Sequence, residues 1–171
     1  MSNTTVQILI NQNGNSNKIW AQVGRLPRTA NGSGKHMVVH GPIRKDGGGL
    51  VENESSAIWQ DKQRKGYEFL ATFENVPEGM ERACVSGVAH VLSGFSPDTF
   101  MGRGGQETAF GRNCGKRFQR KSRLSGVGLT INLATDDGRQ EPEKPVQEPV
   151  KQALKQDLGN LLKSKRESGY F

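Results

Sequence analysis

Asn17-Lys18-Ile19-Trp20 and Lys62-Gln63-Arg64-Lys65-Gly66-Tyr67-Glu68-Phe69 bracket the stretch whose reading decides the fold of this 171-residue chain. Lys18 to Val23 sets Ile19, Ala21 and Val23 against Lys18, Trp20 and Gln22, and a period of two marks a strand with one buried face. Tyr67 to Glu74 alternates in the same way, with Tyr67, Phe69, Ala71 and Phe73 on one side and Glu68, Leu70, Thr72 and Glu74 on the other. A one-sided sheet buries its apolar face, so this aromatic row is expected to be core in preference to a platform for stacked bases. Between the two strands, Gly41 to Gly49 is a Gly-rich turn carrying Arg44 and Lys45. It is either an ordinary hairpin loop or a loop whose N–H groups approach phosphate oxygens.

Working outward, Val6 to Ile10 is a β-branched run expected as a strand. The Asn- and Gly-rich turn Asn11–Asn17 hairpins it to Lys18–Val23. Met37-Val38-Val39 is a third strand. Asn53 or Ser55 caps a helix running to Lys65, and Gly66 stands where a helix C-terminus favours left-handed backbone. Lys62, Arg64 and Lys65 then match the helix dipole or form a phosphate-facing edge. Pro77-Glu78-Gly79 opens a helix on which Met80, Cys84 and Val88 share a face, and Val127 to Leu133 is a last strand. The expected class is α+β: a mainly antiparallel sheet with one or two packed helices.

Thr99 to Gly126 differs in character. Arg103, Arg112, Lys116, Arg117, Arg120, Lys121 and Arg123 face one acid, Glu107, which leaves +6 of the chain's net charge of +7 in this tract. Gly102, Gly104, Gly105, Gly111 and Gly115 are interleaved with Phe100, Phe110 and Phe118, so the tract is expected to be a flexible basic arm between ordered elements. The expected organisation is therefore a domain over 1–135 that includes the arm at 99–126. A Pro-containing acidic linker at 136–149 follows, then an amphipathic tail helix at 150–171 with Val150, Leu154, Leu158, Leu161 and Leu162 on its apolar stripe.

Hydrophobic residues make up 33% of the chain and glycines number 22, which allows a modest core and many loops. The basic balance favours a polyanionic partner. Cys84 and Cys114 are too few for a disulfide framework and lack metal-ligand spacing, which points to reduced thiols in the cytoplasm. Neither a signal peptide nor a membrane span is expected, so no membrane partner is. His36, His40 and His90 form no metal pattern, and GxSxG, HExxH and GxxxxGK[ST] are absent. No enzyme activity, metal or cofactor is expected.

Ile8 to Glu68 resembles a WGR domain, a small antiparallel sheet with one helix found in poly(ADP-ribose) polymerases and many bacterial proteins. Ser16-Asn17-Lys18-Ile19-Trp20 is similar to that family's S-N-K-F-W/Y. Val39-His40-Gly41-Pro42-Ile43-Arg44 stands where W-G-R-x-G is expected, with His40 in place of Trp and Pro42 in place of Arg. Lys62-Gln63-Arg64-Lys65-Gly66-Tyr67 is similar to the closing K-x-x-K-G-Y. The resemblance implies contact with DNA ends or their surroundings, with Arg44 and Lys45 replacing the charge of the missing arginine.

The expected function is non-catalytic nucleic-acid binding with little sequence specificity, DNA favoured over RNA and a single strand as an alternative to a duplex. Phosphate contacts are expected from Lys18, Arg44, Lys45, Lys62, Lys65, Arg103, Arg112, Lys116, Arg117, Arg120, Lys121 and Arg123, with Trp20, Phe110 and Phe118 stacking on bases. The alternative is an assembly protein whose arm and helix 150–166 bind a protein partner or a second copy.

Overall fold

A computed structural model describes residues 2–24, 34–44, 49–125 and 128–135. They lie in one compact unit, Met1–Asp137. The expected linker at 136–149 and tail helix at 150–171, and Lys45, lie outside the described residues.

Six strands form one sheet in the order β4-β3-β2-β1-β5-β6. They are β1 (Asn3–Asn11), β2 (Lys18–Val23), β3 (His36–Pro42), β4 (Val51–Ser55), β5 (Glu68–Pro77) and β6 (Leu129–Asn132). All neighbours pair antiparallel except β5 and β6, which are parallel. A parallel return needs a long crossover, and here it is made by α2 (Glu81–Leu92), a single 3-10 turn (Pro97–Thr99) and α3 (Gly105–Ser125). The short α1 (Trp59–Arg64) links β4 to β5. The class is α+β, with a mixed sheet and three α-helices among the described residues rather than one or two.

Each sheet face buries its own cluster. Val6, Ile8, Ile19, Ala21, Val39, Phe73 and Ile131 pack beneath Cys84, Val85 and Val88 of α2 and Cys114 and Phe118 of α3. On the opposite face Leu9, Trp20 and Val38 form a smaller cluster with Trp59, Tyr67 and Phe69 against it.

The strict alternation expected for Tyr67–Glu74 does not hold. The β1–β5 register shifts between Ile8 and Leu9, so Ile8 faces Ala71 while Leu9 faces Phe69. Leu70 is the extra residue of a β-bulge, which reverses the parity of the residues after it as far as Glu74. Tyr67 and Phe69 therefore lie on the second face, while Ala71 and Phe73 lie beneath the helices. A second shift lies between Thr4 and Val6, beside Asn75, whose φ of 61 is positive.

The helix expected from Asn53 or Ser55 is shorter. Asn53 pairs with Val38 in β4, and the six-residue α1 begins only at Trp59. Asp61 accepts the Ile58 N–H at 3.3 Å, so the carboxylate inside the first turn replaces the expected cap. Gly66 does end this element in the left-handed region, at φ 85.

The flexible basic arm is also corrected, because residues 105–125 are a continuous 21-residue helix. Its glycines serve close packing. Gly111, Cys114, Gly115 and Phe118 recur at helical spacing, and all are buried. A Cβ on Gly111 would lie 2.9 Å from the Ala83 carbonyl oxygen of α2, so only glycine lets the two backbones come this close.

Candidate functional site

The three pieces of sequence that carry the family resemblance meet in space. Lys18, Ile19 and Trp20 of β2, His40, Gly41 and Pro42 of β3, Lys62 of α1 and Tyr67 line one cleft of about 250 Å3 on the second face. The register explains the meeting: Lys18 pairs with Pro42 and Trp20 with His40, and α1 lays Lys62 over them. Asn17 ties the turn down by donating from Nδ2 to the Ile43 carbonyl at 3.1 Å, while the Ile43 N–H donates to the Asn17 carbonyl at 2.9 Å. The facing end is held by Asn11 and Asn13, whose side-chain amides donate to the Lys65 and Gly66 carbonyls at 3.3 and 3.2 Å.

Lys62 is the centre of the cleft. Its ammonium nitrogen lies 5.5 Å from the Trp20 ring centroid and 5.6 Å from that of Tyr67, within cation–π range of both. Partial burial lowers its pKa. Lys65 lowers it further, Asp61 opposes the shift, and Lys18 adds to it. Lys65 and Lys18 are thus close enough to Lys62 to disfavour its charged form, and a bound anion would offset that effect. Burial raises the Tyr67 phenol above its ordinary range.

The expected residues separate into groups. Lys18 and Lys62 line the cleft, Lys65 lies close enough to lower the Lys62 pKa, and Arg44 is exposed two residues past Pro42. The basic residues of α3 belong to the helix-covered face, and most are bound within the fold. Arg112 donates from Nε to the Phe100 carbonyl at 2.9 Å, and Lys116 pairs with Asp98 at 2.6 Å. Arg117 donates to the Asn132 carbonyl at 3.4 Å and to Asn113 Oδ1 at 3.2 Å. Lys121 donates to the Thr130 carbonyl at 3.0 Å. The Leu133 N–H points to Glu74 of β5, so strand alternation turns the Thr130 and Asn132 carbonyls to the open side of β6. Arg117 and Lys121 therefore cap a sheet edge. Arg103, Arg120 and Arg123 make no ion pair among the described residues.

Two stacking candidates are withdrawn. Trp20 is 2% exposed and Phe118 3%, so neither offers a free ring face. Phe110 is half-buried against the main core. His40 and Tyr67 belong to the cleft without having been expected there. The signal for Tyr67 was its place beside Lys62 and Gly66, hidden by the assumption of unbroken alternation.

No group of three or more His, Cys, Asp or Glu side chains suited to a metal ion occurs among the described residues. No helix among them is long and apolar enough to cross a membrane. Compared with protein-family models, curated proteins and solved structures, the chain matches none.

Proposed function

We propose that this protein binds nucleic acid, DNA in the first place, by seating backbone phosphates in the cleft lined by Lys18 and Lys62, with Lys65 beside it. The carrying observation is that Lys18 and Lys62 line one cleft, where burial first and then the charges of Lys65 and Lys18, only partly opposed by Asp61, lower the Lys62 pKa. The likeness to WGR domains supports the same reading, since its three pieces are the walls of this cleft. In this reading the chain acts without chemistry: it neutralises phosphates and releases counterions. The contact lies on the α1 side of the sheet, while the α3 cations act first as internal ties.

The test is a fluorescence titration of single- and double-stranded DNA across a range of salt. Four cations, Lys18, Arg44, Lys62 and Lys65, predict a log–log slope of about −3 to −4, and each lysine replaced by alanine reduces it by roughly 0.7–0.9. A slope indifferent to Lys18→Ala and Lys62→Ala, or an affinity that salt does not change, would overturn the proposal.

A further inference from the structure

The second sheet face holds another concavity. Thr5, Gln7, Gln22, Trp59, Thr72 and Glu74 line a groove of about 300 Å3. The helix α1 serves both sites: Lys62 lines the cleft, and Trp59, one turn earlier, lines the groove. On β2, Lys18 and Gln22 stand at opposite ends, about 13 Å apart at an ordinary strand rise. Gln22 pairs with Gln7, and Gln7 with Thr72, so amide, amide and hydroxyl form one row across three strands. The two bulges of β5 bracket this row, and the first, at Leu70, sets Thr72 and Glu74 on this face.

The chemistry of the groove is the reverse of the cleft's. Among the described residues its lining is two amides, two hydroxyls, an indole, a carboxylate and Gly24, with no lysine or arginine. Glu74 disfavours phosphate here and accepts N–H donors. Gln22 is 2% exposed, yet its Oε1 has no hydrogen-bond partner among the described residues. An unpaired buried acceptor is unfavourable, and an incoming N–H removes the penalty. Rotation about the soft terminal torsion of glutamine turns either end of the amide toward the groove.

We propose that this groove receives one unstacked nucleobase bearing an exocyclic amino group, adenine or cytosine, from the strand whose phosphates occupy the lysine cleft. The inference rests on the nucleic-acid reading above and adds the part of the nucleotide that the cleft does not hold. A glutamine amide matches the adjacent donor and acceptor of adenine, and a carboxylate accepts from the amino group of cytosine. Trp59 supplies the stacking surface that Trp20 does not. A duplex keeps its bases stacked and paired, so the groove selects single strands.

The test uses the full chain with oligodeoxyadenylate, oligodeoxycytidylate, oligothymidylate and a duplex, and separately with free adenosine and thymidine followed by tryptophan fluorescence. Trp59→Ala is expected to weaken oligodeoxyadenylate roughly tenfold while leaving the salt slope unchanged. Gln22→Leu, which removes the orphaned oxygen and keeps the volume, is expected to fold with an unchanged or higher Tm and to lose the preference over oligothymidylate. Adenosine, but not thymidine, is expected to quench the parent. If Lys62→Ala weakens DNA binding while both groove variants bind like the parent and adenosine gives no signal, water fills the Gln22 site and the groove proposal falls alone. If adenosine binds and DNA does not, the groove stands and the lysine reading falls. Silence from every probe overturns both.

Discussion

Gly87 of α2 and Gly111 of α3 approach so closely that a Cβ on Gly87 would lie 2.0 Å from the Gly111 carbonyl oxygen. The contact is backbone against backbone, so no side chain can swing aside. Gly87→Ala is expected to destabilise the fold by about 1–3 kcal/mol or more through overpacking. Gly105→Ala is the control, because a Cβ there meets nothing within 4 Å and the position opens a helix. It is expected to be neutral or stabilising by up to ~1 kcal/mol. Urea denaturation of the two variants beside the parent decides. Equal midpoints would show that the helices slide apart without penalty.

The same interface encloses Cys84 and Cys114, both fully buried. Burial first, then the hydrogen bond and the proximity of the Cys114 thiol, raise the Cys84 thiol well above its ordinary range. Because the thiolate is the reactive species, both cysteines are expected to resist a thiol reagent such as DTNB in the folded chain and to react fully in denaturant. Rapid labelling of either one under native conditions would mean that α2 and α3 open locally.

What was legible in the residues follows the periodicities that packing leaves undisturbed. β1, β2, α2 and β6 fall where short β-branched or helical patterns put them, because none of these runs carries an extra residue that breaks its period. The Tyr67–Phe73 row departs from plain alternation because a single extra residue, Leu70, changes which face the chain presents, and a bulge has no local signature in an apolar run. The α3 segment is helical despite its glycine content, which by number alone favours a flexible arm. Their spacing, Gly111 and Gly115 with Cys114 and Phe118, is that of one helix face. Of the candidate site, Lys18, Lys62 and Lys65 were legible as charges. Their meeting depends on the β2–β3 register and the seating of α1, which are long-range contacts.

The cations of α3 give a prediction opposite to that expected of an arm. Arg117 is buried and bound to the Asn132 carbonyl at the sheet edge. Arg117→Met is expected to lower stability by about 1–3 kcal/mol, since it leaves a strand carbonyl without its charged donor, and to leave DNA affinity unchanged. Thermal unfolding and a DNA titration on the same sample separate the two effects. A variant that keeps its Tm but loses DNA would return α3 to the binding surface.

Lys62 makes the cleft sensitive to pH in a direction that can be worked out. Its folded-state pKa lies below the ordinary 10.5, so between the two values the unfolded chain binds more protons than the folded one. The unfolding free energy therefore rises with pH across that window, and the destabilising contribution of Lys62 is fully present below its folded pKa. An anion in the cleft acts oppositely. It favours the ammonium form, raises the Lys62 pKa and draws a proton in on binding. Affinity for DNA is accordingly expected to fall as pH rises from neutrality toward 10, earlier than an ordinary lysine would allow. Lys62→Arg, which stays charged throughout, is expected to bind at neutral pH and to flatten the dependence. Titrations at matched ionic strength across this range provide the check. An affinity equally flat for parent and variant would mean that Lys62 does not face the bound phosphate.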